Sequence, residues 1–145
     1  MAILNNGNSN IDYSAVANTD SPIKIKVSGG NATESNGDFY TFTDENDNTI
    51  NIGTDTDATF RFMRGKTYIF EANGIDASHP FRIYMSGGFV KNSNGHDTGI
   101  TDSLGNITIT IPTDHSTASG NLYYQCGIHT VMKKNLSLLY KSVTN

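Results

Sequence analysis

Tyr123-Tyr124-Gln125-Cys126-Gly127-Ile128-His129-Thr130-Val131-Met132 places a cysteine, a histidine and a methionine at three-residue steps. Leu122–Cys126 reads as a short strand leading into this loop, and Asn135–Tyr140 reads as the strand leaving it. A loop between two adjacent strands can turn Cys126 and His129 inward together, and Met132 can reach the same point as the chain enters the second strand. Upstream, His79 in Ser78-His79-Pro80-Phe81 precedes another strand, Pro80–Met85, and can close the group from a neighbouring loop.

Taken singly, a cysteine or a methionine is ordinary core packing. Together, two imidazoles, one thiolate and one thioether are the ligand set of a blue-copper electron-transfer site. Soft thiolate suits Cu(I) and imidazole tolerates Cu(II), so a mixed set serves both states. Cys126 is the only cysteine in the chain. It has no internal disulfide partner, and a zinc site built on two or more cysteines is excluded by count.

Outward from this loop, the chain reads as short strands separated by turns. Ile23-Lys24-Ile25-Lys26-Val27 alternates strictly and is closed by Gly29-Gly30. Asp38–Thr43, Thr49–Ile52 and Ala58–Met63 are further strands, the last with Phe60 and Phe62 facing inward. Arg64-Gly65-Lys66 reads as a tight turn returning Thr67–Phe70 as a hairpin partner. Phe81, Ile83 and Met85 share one face, as do Ile107, Ile109 and Ile111 within Asn106–Ile111. Ser86–Gly105 shows no period and reads as a long loop. No amphipathic helix emerges, and the pattern predicts an all-β, antiparallel sandwich or barrel. Residues 1–21, polar and Asn-rich, read as an N-terminal arm, and 22–145 as the folded domain.

The 145 residues are 36% hydrophobic, with a formal charge of −4. That charge leaves no electrostatic footprint for nucleic acid, and no apolar run approaches the roughly 20 residues of a membrane span. The N-terminus has no basic region followed by an apolar run, so we expect use without export, or a leader already removed. Asn31, Asn106 and Asn135 begin glycosylation sequons that mean little without export. Asp44, Glu45, Asp47, Asp55 and Asp57 do not fit calcium-loop spacing and read as solvated turns. His96 and His115 lie in loop-like surroundings and are expected at the surface. No nucleophile–base pair and no phosphate loop is present, so no enzyme activity is expected.

The run Tyr124–Met132, with His79 ahead of a strand, resembles the cupredoxin ligand pattern, and its two-residue gaps resemble the short ligand loop of the amicyanins. Arg64–Phe70, Ser78–Phe81 and Leu122–Met132 together are similar to a cupredoxin-like subgroup common in marine tailed phages and microbes. The resemblance covers about residues 22–141. It implies a Greek-key β-sandwich with one mononuclear type-1 copper near one end, bound by His79, Cys126 and His129 with Met132 axial. Two departures matter. Many cupredoxins have an asparagine after the first histidine whose backbone N–H bonds the thiolate sulfur; Pro80 has none, which should alter the redox potential. Lys133-Lys134 replace a glycine pair and are expected to bring two positive charges beside the loop.

The resemblance implies a non-enzymatic copper-binding protein. The phage-like motifs and the polar arm lean toward an accessory virion component, a capsid decoration or tail protein. It would contact capsid or tail subunits through residues 1–21. The alternative is a soluble electron carrier with a redox partner protein, placed in the periplasm or outside the cell if a leader was removed.

Overall fold

The computed structural model describes residues 21–33, 38–52, 60–86, 88–97, 99–116 and 121–142. The expected arm lies, apart from Ser21, outside them, as do Asp55 and Asp57. Eleven strands follow in order: β1 Ile23–Gly29, β2 Tyr40–Thr43, β3 Thr49–Ile50, β4 Phe62–Arg64, β5 Thr67–Ile75, β6 Phe81–Met85, β7 Gly88–Phe89, β8 Ile107–Thr110, β9 Leu122–Cys126, β10 Lys133–Asn135 and β11 Leu138–Ser142. No helix occurs among the described residues.

One sheet has the order β3-β2-β1-β5-β8, a second β10-β9-β6-β7, and β11 pairs with β4 in a two-stranded ribbon. The alternation read in the sequence sets which side chains enter the core. Ile25 and Val27 of β1 are fully buried, while Lys24 and Lys26 face outward to Glu71 and Asp47 at 3.7 and 2.9 Å. Phe81 and Ile83, like Ile107, Ile109 and Ile111, are buried on the faces predicted for them.

The two sheets meet through aromatic rings. Tyr40 packs edge-on against Phe81 and Tyr124 at centroid distances of 5.1 and 5.5 Å. Phe42 lies 5.7 Å from Phe81 and 5.5 Å from Tyr124, and Phe70 lies 5.6 Å from Phe81. Edge-to-face pairs of this kind add about 0.5–1.5 kcal/mol each beyond area burial. Phe60, Phe62, Tyr68, Phe70 and Phe81 are all at most 1% exposed, as the sequence led us to expect of core.

The structure corrects several local expectations. The sandwich is mixed, because β1 runs parallel to β5 and β11 parallel to β4. The turn at Arg64-Gly65-Lys66 forms, but it does not make a hairpin. The amide of Met63 donates to the Tyr68 hydroxyl at 2.7 Å, so a side chain takes the place of a strand partner. Phe62 instead donates its N–H to the Ser137 carbonyl, while β5 turns away to pair with β8. The turn therefore carries the chain from ribbon to sheet.

The segment 86–105 is also more ordered than its lack of period suggests. It contains β7, and Ile100 pairs with Phe81 through reciprocal backbone bonds of 2.8 and 3.1 Å. Buried Asn92 organises it, donating to the Gly99 carbonyl at 2.7 Å and accepting from the amides of Asn94 and His96 at 3.0 Å. His115, expected at the surface, is only 5% exposed, with Nε2 3.0 Å from the Asn121 carbonyl oxygen. His96 is exposed, as expected.

Candidate metal centre

Three ligand-bearing residues come from two places. His79 lies in the connection between β5 and β6. Cys126 ends β9, and His129 lies in the loop to β10. Strands β6 and β9 are antiparallel neighbours, with Phe81 opposite Cys126, so their ends bring the two loops together.

Each loop has its own local lock. Asp76 accepts from the Ser78 amide and hydroxyl at 2.9 and 2.7 Å through its carboxylate, and from the His79 amide at 2.8 Å through its carbonyl. The two bonds from Ser78 hold the Asp76 carboxyl below its ordinary range. In the other loop, Cys126 donates its N–H to the Met132 carbonyl at 2.9 Å, and Met132 donates to the His129 carbonyl at 3.1 Å. The loop is thus closed by backbone bonds and not by its metal-binding side chains.

A further bond joins the loops. The Gly127 amide donates to the Pro80 carbonyl at 2.8 Å. A Cβ at Gly127 would fall 2.9 Å from Arg82 Nε and 3.1 Å from Pro80 Cγ, so a side chain there would have to displace Arg82 and Pro80 slightly.

The donor atoms converge. Cys126 Sγ lies 3.8 Å from His129 Nδ1 and 3.9 Å from His79 Nδ1, and all three ligand atoms lie within 4.8 Å of one another. Bonds of about 2.3 Å to sulfur and about 2.05 Å to nitrogen, meeting at about 120°, hold two such donors about 3.8 Å apart. The spacing therefore fits one ion shared between them. The imidazole rings are 4.7 Å apart between centroids and inclined at 39°.

The sulfur is 1% exposed at residue level and has its own polar support. The amides of Ile128 and His129 both point at Sγ, each at 3.4 Å. Pro80 offers no N–H, but the ligand loop supplies two donors that sequence reading did not anticipate. Their positions depend on the loop's curvature, which the residue types alone do not reveal.

Met132 is fully buried in the core beneath this loop. Of the two lysines expected beside it, Lys134 is drawn to Asp38 at 3.8 Å, its side chain 15% exposed. Lys133 remains exposed and stands 4.1 Å over the Tyr123 ring. Of the two, Lys133 is the more exposed charge, and Lys134 is partly offset by Asp38.

Two residues missed in the sequence border His79. Tyr40 donates its hydroxyl to the His79 carbonyl at 2.9 Å, with the Pro80 carbonyl at 3.4 Å. Burial, and secondarily the adjacent Cys126, push its hydroxyl well above the ordinary tyrosine range, so it remains a donor. Gly30, with φ of +109°, lies so close that a Cβ there would fall 2.9 Å from His79 Cβ. In the sequence Tyr40 is one of several aromatic strand residues, with nothing to separate it from core.

The group His79, Cys126 and His129 can therefore hold a metal ion in a pocket assembled by two loops. No family model matches the chain, and neither a curated protein nor a solved structure matches it.

Proposed function

We propose that this chain is a cupredoxin-fold copper protein with one mononuclear type-1 site, non-enzymatic, and that it carries single electrons. The observation that carries this reading is the buried Cys126 sulfur set 3.8 and 3.9 Å from two Nδ1 atoms. His79, Cys126 and His129 would hold the ion, one thiolate with two imidazoles being a copper set, and Met132, buried at the end of the same loop, would add a thioether. Copper held there would supply one-electron chemistry.

The chain's own residues do the rest. The Ile128 and His129 amides offset charge on the sulfur. Burial of Cys126 and Met132 keeps water away from it. Ile128 and Val131 stay 61% and 72% exposed on either side of His129. They offer an apolar rim against which a redox partner can dock close to the His129 ring.

The test is a visible spectrum after addition of Cu(II). We expect a strong thiolate-to-copper band that reduction bleaches and that Cys126→Ser lacks. A folded protein with no such band would overturn the copper reading.

The polar, Asn-rich residues 1–21 favour a second reading, an accessory capsid-decoration or tail protein located in the virion. There copper would serve as a clip on the fold. The site is common to both readings; the partner, redox protein or capsid subunit, separates them.

A further inference from the structure

We propose that Tyr40 is a positioning residue for the metal centre: its hydroxyl, reaching across the sandwich to the His79 carbonyl, sets where the His79 imidazole meets Cys126. This rests on the metal-centre reading above. Tyr40 belongs to β2, in the sheet opposite the one that carries Cys126. Its ring is wedged edge-on between Phe81 and Tyr124, at 5.1 and 5.5 Å, which fixes the direction of the hydroxyl. That hydroxyl meets His79 O at 2.9 Å and Pro80 O at 3.4 Å.

The Pro80 carbonyl also accepts from Gly127, the residue after Cys126, at 2.8 Å. One hydroxyl therefore touches the only backbone junction described here between the two ligand loops. Gly30 supports it from the same side, its missing side chain leaving room for both the Tyr40 ring and His79 Cβ. A Cβ there would fall 3.3 Å from the ring and 2.9 Å from His79. His79 is thus held by its backbone, and Nδ1 remains available. Groups that orient ligands without touching the metal commonly govern affinity.

A buried tyrosine hydroxyl needs a partner whatever its role, so a control is required. Tyr68 provides one. It is equally buried and its hydroxyl also meets a backbone group, the Met63 amide at 2.7 Å, on the ribbon side of the core.

The experiment compares Tyr40→Phe with Tyr68→Phe in the full chain, both of which keep the ring. Cu(I) affinity is measured by competition with a chelator, and amide exchange at His79 is followed in the metal-free protein. We expect Tyr40→Phe to bind Cu(I) about 10-fold or more weakly and to exchange faster at His79, with Tyr68→Phe unchanged in both. Wild-type affinity in Tyr40→Phe, or an equal loss in Tyr68→Phe, would overturn the proposal. Should the wild type bind no copper, the metal reading fails by itself. Exchange at His79 then still decides: faster in Tyr40→Phe alone supports the positioning role, and no change refutes it.

Discussion

At the scale of single residues, Met132 is where packing and chemistry overlap. Its side chain fills core space and its backbone closes the ligand loop, whatever the thioether does. Met132→Ala would open a cavity at a cost of about 2–5 kcal/mol and confuse the two roles. Met132→Leu conserves volume and should cost less than about 1.5 kcal/mol. We expect it to leave the denaturation midpoint nearly unchanged while shifting the copper absorption and raising or lowering the reduction potential. An unaltered spectrum would show that the thioether only packs. The group His79, Cys126 and His129 was legible in the sequence because Cys126 and His129 stand three residues apart in a loop between strands and His79 precedes a neighbouring strand. Tyr40 and Gly30 were not, because their role depends on distance across the sandwich.

At the scale of elements, the segment 86–105 shows how much order can exist without periodicity. Asn92 is 5% exposed and bonds three backbone groups, from Asn94, His96 and Gly99. The segment then delivers Ile100 to the first residue of β6, immediately after His79-Pro80. Removing the side-chain amide leaves the buried Gly99 carbonyl without this donor, at about 1–3 kcal/mol, and releases two part-buried amides that water can reach at smaller cost. Asn92→Ala should therefore lower stability by roughly 2–3 kcal/mol in a urea titration, and amide exchange should rise first within 92–100. An exchange pattern confined to other regions would contradict this. The hairpin expected at Arg64-Gly65-Lys66, which does not form, has a related cause. A turn's residues say that the chain reverses, not which neighbour takes its freed hydrogen bonds. Here the Tyr68 hydroxyl and the Ser137 carbonyl took those of Met63 and Phe62.

At the scale of the whole molecule, the core cluster runs from Ile25 to Leu136 and joins both sheets and the ribbon. If residues 1–21 form an arm, as read in the sequence, deleting them should leave the thermal midpoint close to that of the full chain, as differential scanning calorimetry would show. A fall of many degrees would mean that these residues support the sandwich. Under the virion reading the same deletion abolishes binding to capsid or tail subunits; under the carrier reading electron transfer survives it.

The all-β class, the inward faces of most strands and the metal-ligand candidates are readable from residue order alone. Each of these is written in local period or in side-chain chemistry. Long-range packing set that β1 and β5 run parallel, that the Gly65 turn leads from ribbon to sheet, that His115 is buried, and that Lys134 is drawn to Asp38. It also decided that two amides of the ligand loop face the Cys126 sulfur and that a tyrosine from the far sheet holds His79. The reason is the same throughout: hydrogen-bond partners and close approaches between residues distant in the chain are settled by packing, which no local pattern of residue types encodes.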